Sequence, residues 1–217
     1  LIFSFKQKNL FSDYFFLKSV LPKSKDIFYY SKNSRLYFER IIYNGHKKKN
    51  YLLKNYFKLA KKVDIEKEYI FFPLWFQPSA TLHPFAGRMV DYEIAIKMLS
   101  KNGPKNFKIF VRESPDVFNL ASRSWFKGHF ARREKFYREI SSLSNVELVN
   151  YETDDSTLVD NSVALATLCD KYNLIAIIRK KPNICFTETI TSGLKNSLIC
   201  KNKKDIKQFF KKLNKGE

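Results

Sequence analysis

The sequence predicts an α/β fold: a Rossmann-like, mostly parallel sheet covered by helices on both faces. Three observations predict it. The rhythm of the 217-residue chain changes at residue 67, from aromatic and helical stretches to short apolar runs. From there apolar strands alternate with helices, the order that builds a parallel sheet. Each irregular loop (73–90, 113–130, 151–157, 168–173 and 187–196) follows a strand, at the carboxyl edge where such sheets hold their ligands.

Residues 1–30 are aromatic and basic without clear periodicity. Residues 34–62 have a helical pattern interrupted at Asn44-Gly45, with Leu52, Leu53, Tyr56, Phe57, Leu59 and Ala60 spaced by threes and fours after the break. Residues 1–66 are therefore expected to be a helical and aromatic remnant packed onto a domain formed by 67–217.

In that domain "YIFF" (69–72) predicts a first strand and "DYEIAIKMLSK" (91–101) a helix with Asp91 near its start. "FKIFVR" (107–112) predicts a second strand. "ARREKFYREISSL" (131–143) predicts a helix burying Phe136, Ile140 and Leu143. "NVELVN" (145–150) is a third strand, "DDSTLVDN" (154–161) an acid-capped helical turn and "VALAT" (163–167) a fourth strand. "NLIAIIRK" (173–180) follows as a helix, "PNICF" (182–186) as a fifth strand and "SLICK" (197–201) as a sixth. The closing "KKDIKQFFKKLNK" (203–215) is a helix with Ile206, Phe209, Phe210 and Leu213 on one side.

Composition bounds the function. A hydrophobic fraction of 44% excludes disorder throughout the chain. The net charge of +19 comes from 31 Lys and 9 Arg against 21 acidic residues, and it is dispersed: 15 basic and 5 acidic residues in 1–66 give +10, leaving +9 for the rest. There is no RNA-recognition motif, zinc-finger spacing or glycine-interleaved basic tract. A nucleic-acid-binding role thus rests on net charge alone. A general lysine-rich surface explains the charge as well, and an anionic partner (membrane surface, nucleotide or polyanionic glycan) is the third reading.

Cys169, Cys185 and Cys200 form no CxxC pair, the pattern of reduced structural thiols in a cytoplasmic protein. His46, His83 and His129 have no ligand spacing, so no zinc is expected, and nothing in the sequence requires another metal or a cofactor. The first 25 residues carry several lysines and no small-residue cleavage site, so no signal peptide is expected. The uncharged stretch 69–87 is interrupted by Pro73, Pro78 and Pro84, and no transmembrane segment is expected there.

The residues able to carry chemistry lie in the strand-end loops. Pro73, Pro78 and Pro84 restrict the first loop while Gln77, Thr81, His83 and Arg88 are the polar groups it can present. It is either a structural brace or the rim of a cleft, and its length and position favour the rim. Glu113, at the end of the second strand, can act as an acid or base or can pair with Arg112. Asp154-Asp155-Ser156 reads foremost as a helix cap. Arg123, His129, Arg132 and Arg133 form either a basic lid over phosphate or a solvated helix start.

"FPLWFQPSATLHPFAGRMVDYE" (72–93) resembles a characteristic segment of the capsular polysaccharide biosynthesis family, which includes β-Kdo transferases of capsule lipid-linker synthesis. The likeness continues in order through "IFVRESP" (109–115), "NVELVNYETDDSTLVDNSVALATL" (145–168) and "IAIIRKKPNICF" (175–186), covering about residues 67–190. Ser114 stands where the family shows His, Ser79 and Ile175 where it shows Glu, and Cys169–Asn173 where it has a Gly/Thr-rich turn. Glycine in such turns lets backbone N–H groups approach phosphate, whereas Asp170 repels it.

The resemblance implies a GT-B-like glycosyltransferase of capsule or surface polysaccharide synthesis, with residues 67–217 as its C-terminal, nucleotide-sugar-binding half and 1–66 as the tail of a first half. It implies a nucleotide-sugar donor, with CMP-Kdo as the candidate, and a lipid-linked or glycan acceptor. It also implies a cytoplasmic location with peripheral contact at the anionic inner face of the cell membrane. Glu113 would be the catalytic acid/base, Arg112 and Arg88 the phosphate partners, and Gln77 and His83 the sugar contacts. Ser114, Asp170 and Lys171 would complete the substrate-binding set. The altered turn at 169–173 leaves a non-catalytic relative acting in the same pathway as the alternative.

Overall fold

A computed structural model describes residues 50–75, 90–117, 132–150, 152–188, 191–192, 194 and 196–215. Residues 50–59 are helical (α1). They are followed by β1 (Tyr69–Pro73), α2 (Tyr92–Asn102), β2 (Lys108–Arg112), a 3-10 turn (Pro115–Val117), α3 (Phe136–Ser141), β3 (Val146–Val149) and α4 (Asp155–Asn161). Next come β4 (Ala164–Thr167), α5 (Asp170–Ile178), β5 (Asn183–Cys185), β6 (Ser197–Ile199) and α6 (Lys203–Leu213). All six expected strands are present. The helix expected over 131–143 is shorter, because its regular turns cover Phe136–Ser141 and Leu143 lies beyond them, half-buried.

The strands form one sheet in the order β3-β2-β1-β4-β5-β6, every neighbouring pair parallel. This is the α/β, Rossmann-like architecture that the alternating elements predict. The chain winds outward from β1 to β3, returns to lay β4 beside β1, and winds outward again the other way. β1 and β4 therefore flank the switch point, where the connections leave in opposite directions, the place at which sheets of this kind hold their ligands.

Alternation of side chains along each strand divides the core in two. Ile70, Phe72, Ile109 and Val111 face a layer containing Tyr56 of α1, Ile96 and Leu99 of α2, Ile140 of α3 and Phe209 of α6. Tyr69, Phe71 and Phe110 face the other way, onto Leu158 and Val159 of α4 and Tyr172 and Ala176 of α5. All five residues of β1 are buried, as a central parallel strand requires. Leu52 and Tyr56 are likewise fully buried, and Lys61 pairs in parallel with Val149 beside β3. The described end of the N-terminal part thus packs into the core of the 67–217 domain.

Helix starts follow the expected chemistry. Asp91 accepts the Glu93 N–H at the head of α2, and Asp154 accepts that of Thr157 at the head of α4. At α6, Asn202 accepts the Lys204 N–H while Asp205 accepts from the Asn202 N–H, closing a capping box.

Candidate functional site

The carboxyl end of β2 sends neighbouring side chains to opposite faces of the sheet. Arg112 turns toward α4, where its Nη1 lies 2.6 Å from Asp155 Oδ1. The other Asp155 oxygen accepts the Tyr172 hydroxyl of α5 at 2.8 Å. This chain of contacts links the ends of β2, β3 and β4. Burial, then the Asp155 charge, pushes the Tyr172 phenol well above its ordinary pKa, so it stays a protonated donor.

Glu113 faces the other layer and is 0% exposed. Arg132 clasps it bidentately, Nε to Oε2 at 2.8 Å and Nη2 to Oε1 at 3.0 Å. The Tyr137 hydroxyl donates to Oε2 at 2.7 Å, and the Ser114 backbone N–H donates to Oε1 at 2.9 Å. Arg132 also donates to the Trp75 carbonyl at 2.6 Å and lies between the Tyr92 and Phe136 rings, 5.0 and 5.3 Å from their centroids. Burial alone would lower the Arg132 pKa, but the Glu113 charge and hydrogen bonds more than reverse it, so the guanidinium stays charged. Burial, then the same Glu113 charge, holds the Tyr137 phenol well above its usual value.

These contacts correct three sequence-based expectations. Glu113 pairs with Arg132 and not with its neighbour Arg112, because consecutive strand residues point to opposite faces. Its carboxylate, expected to face substrate as an acid or base, is enclosed with both oxygens engaged. Arg132 is a buried core cation rather than part of a basic lid. Arg133, the next residue, belongs to a cluster in which it and Lys97 both contact Glu93, with Glu139 3.6 and 3.5 Å away from them. Arg123 and His129 lie outside the described residues, as do Gln77, His83 and Arg88.

Of the remaining expected residues, Lys171 reaches Trp75 at the switch point. Trp75 follows β1, its backbone N–H donating to the Tyr92 hydroxyl at 3.1 Å. After β4, the exposed Lys171 places its Nζ 4.5 Å from the Trp75 ring centroid and 5.2 Å from that of Tyr172. Asp170 begins α5 and accepts the Thr191 hydroxyl at 3.2 Å. The Ser114 side chain is buried, and its carbonyl accepts the Val117 N–H at 3.1 Å to start the 3-10 turn. Lys171 is thus brought to Trp75, Arg112 is joined to α5 through Asp155 and Tyr172, and Ser114 gives its backbone N–H to Glu113.

A buried amide cluster fixes the start of α5. Asn173 Nδ2 donates to Cys185 Sγ at 3.0 Å, Asn183 Nδ2 donates to Asn173 Oδ1 at 2.8 Å, and the Thr167 hydroxyl also contacts Asn173 Oδ1. Where a Gly/Thr-rich turn was the comparison, this chain uses a side-chain network to lock α5 onto β4 and β5. Cys169, Cys185 and Cys200 are buried and free, and burial raises the Cys169 and Cys200 thiols to about 12.

No family model matches the chain, and no curated protein does. Among solved structures it is similar to KpsC of Thermosulfurimonas dismutans, a β-Kdo 2,7 transferase, with a TM-score of 0.45 and 14% identity. The similarity covers 78% of this chain and 52% of that one, so the chain spans about half the length of KpsC. Among the described residues no helix is long and apolar enough to cross a membrane.

Sequence reasoning assigned no site role to Trp75, Tyr172 or Tyr137, and it read Asp155 only as part of a cap. Trp75 carried a usable signal, being an aromatic residue two positions beyond an apolar strand and near the start of a proline-rich loop. Tyr172 and Tyr137 carried none, since each looks like any aromatic residue on a helix's buried side.

Proposed function

We propose that residues 67–217 are the donor-binding half of a glycosyltransferase-like protein of capsule or surface polysaccharide synthesis, with 1–66 the tail of its first half. A nucleotide-activated sugar, with CMP-Kdo as the candidate, enters the crevice between the ends of β1 and β4. A lipid-linked or glycan acceptor approaches it at the inner face of the cell membrane. The observation that carries the reading is Lys171 poised over Trp75 at the topological switch point. A cation and an aromatic face supplied from the two strands flanking the crevice suit a ligand with a planar base and a phosphate. The in-order resemblance of the loop segments supports the same assignment.

In this reading Lys171 leaves the indole to meet the donor phosphate, and Arg112 sets the field through Asp155. Gln77, His83 and Arg88 complete the sugar and phosphate contacts, and Ser114 and Asp170 border the pocket. Glu113 is a positioning residue: it anchors Arg132, which holds the Trp75 carbonyl and so the rim of the crevice.

Trp75 fluorescence tests the proposal in a Trp125→Phe background, which leaves one of the chain's two tryptophans. CMP or UDP should quench it at millimolar concentration, Lys171→Ala should weaken binding severalfold, and Asp170→Asn should strengthen it by removing a like charge. No response to either nucleotide would overturn the assignment. The enclosure of Glu113 favours a second reading, a relative that binds donor without transferring sugar. Saturable quenching with no product from CMP-Kdo and a glycan acceptor would select it.

A further inference from the structure

Building on the donor-site reading above, we propose that Lys171 is a self-closing cap on Trp75, which admits ligands carrying both a planar base and a phosphate and turns away bases without one. Its ammonium stands in the corner of two aromatic rings, 4.5 Å from the Trp75 ring centroid and 5.2 Å from that of Tyr172. The rings meet edge to face, 6.4 Å apart at 78°, as two walls of an aromatic cage do around a cation. The Tyr172 wall is fixed in place, since its hydroxyl donates to Asp155, which Arg112 holds in turn.

The rings, and no carboxylate, account for where Lys171 sits. Among the described residues no ion pair uses it. The acid beside it in sequence, Asp170, is turned to the Thr191 hydroxyl at 3.2 Å. Trp75 is half-buried and packs against both core layers, so the side on which the exposed Lys171 lies is the side from which a base can approach it. The ammonium therefore occupies the place that a stacking base must take.

Magnitudes decide which ligands can open the cap. A cation–π contact at an exposed position holds by a factor of about two to five. A charge-assisted hydrogen bond to phosphate is worth roughly tenfold or more. A nucleotide thus draws Lys171 off the rings and leaves the indole to its own base. A nucleoside has nothing to draw it with and must displace the ammonium unaided. Because one side chain serves either the rings or the phosphate, base and phosphate strengthen each other's binding, and the coupling is reciprocal.

Trp75 fluorescence of the full chain in the Trp125→Phe background, titrated with cytidine, CMP, uridine and UDP, tests this. Each nucleotide should bind more tightly than its nucleoside. Inorganic phosphate, compared with sodium chloride at equal ionic strength, should strengthen nucleoside binding about two- to fivefold. Lys171→Ala changes an exposed position, and an unchanged circular dichroism spectrum will show that the fold is kept. It should strengthen nucleoside binding by the same two- to fivefold, remove the help from phosphate, and narrow the preference for nucleotide over nucleoside by roughly tenfold or more. An ordinary phosphate-binding lysine would leave nucleoside affinity unchanged in that variant. Nucleoside binding that is unchanged or weakened by Lys171→Ala would therefore overturn the cap, as would a parent chain indifferent to phosphate. In both cases a retained nucleotide response would leave the donor-site reading standing. Silence toward CMP and UDP alike would overturn the two together.

Discussion

Glu113→Gln is the substitution that most directly separates a buried structural carboxylate from a working one. The side chain has 0% exposure and contacts a guanidinium through both oxygens, a phenol and a backbone N–H. The amide keeps the shape but removes the charge, and in either orientation its NH₂ must face an Arg132 N–H, since Arg132 donates to both oxygens. Breaking a buried pair by neutralising one partner costs about 3–5 kcal/mol, because the other charge stays buried without its counter-ion. That is a large part of a typical stability of about 5–15 kcal/mol. With a urea slope of about 2–3 kcal/mol/M, the unfolding midpoint should fall by roughly 1–2.5 M. Arg132→Met should cost a similar amount, since it strands the carboxylate and the Trp75 carbonyl together. The double variant should lose less than the sum of the single losses, with a coupling of at least about 2 kcal/mol. Urea unfolding followed by circular dichroism measures all four corners of the cycle. A Glu113→Gln midpoint within experimental error of the parent, or additive single losses, would refute the enclosure and return Glu113 to the role of proton carrier.

Two further substitutions test other parts of the fold. Burial would raise the Glu93 pKa, but hydrogen bonds with Lys97, Glu139 and Arg133 outweigh it and leave it below the ordinary 4.5. Its contribution to stability is therefore present above about pH 4.5 and is lost as pH falls through the lower folded value; Glu93→Gln should flatten this acid limb in unfolding curves measured from pH 6 to 3, and an unchanged limb would contradict the cluster. Gly103 caps α2 where an added Cβ would lie 2.8 Å from the Leu99 carbonyl oxygen and 3.3 Å from the Phe210 ring. Gly103→Ala should cost about 1–3 kcal/mol by overpacking the α2–α6 contact, and a stability equal to the parent's would show that the helices part freely there.

The fold was legible because its signals are local and repeated. Apolar runs such as "YIFF" and "FKIFVR" are buried on both faces, and a parallel sheet demands this of its inner strands. Asp91, Asp154 and Asn202 each sit at a helix start and do there what their side chains favour. The switch point follows from strand order, which no local pattern encodes, although every irregular loop was already assigned to a strand's carboxyl end. The partners of the charged residues were not legible. Glu113 finds Arg132 across nineteen positions and Arg112 finds Asp155 across forty-three, contacts that arise only when separate crossovers stack on the sheet. Alternation along β2 would have separated Arg112 from Glu113. The pairing of neighbours in sequence obscured it.

The enclosure of Glu113 also bears on how this chain can change in length. One carboxylate accepts the Ser114 N–H as the chain leaves β2 and receives Arg132 where it returns toward α3. Glu113 thus holds Ser114 and Arg132 together across the seventeen positions that separate them in sequence. The entropy of closing a loop rises only logarithmically with its length, about 0.6 kcal/mol for each doubling. Insertions or deletions between Ser114 and Arg132 are therefore inexpensive as long as both ends keep their hold on Glu113. This makes the connection a place where related chains can differ greatly in size while the sheet beneath them stays the same.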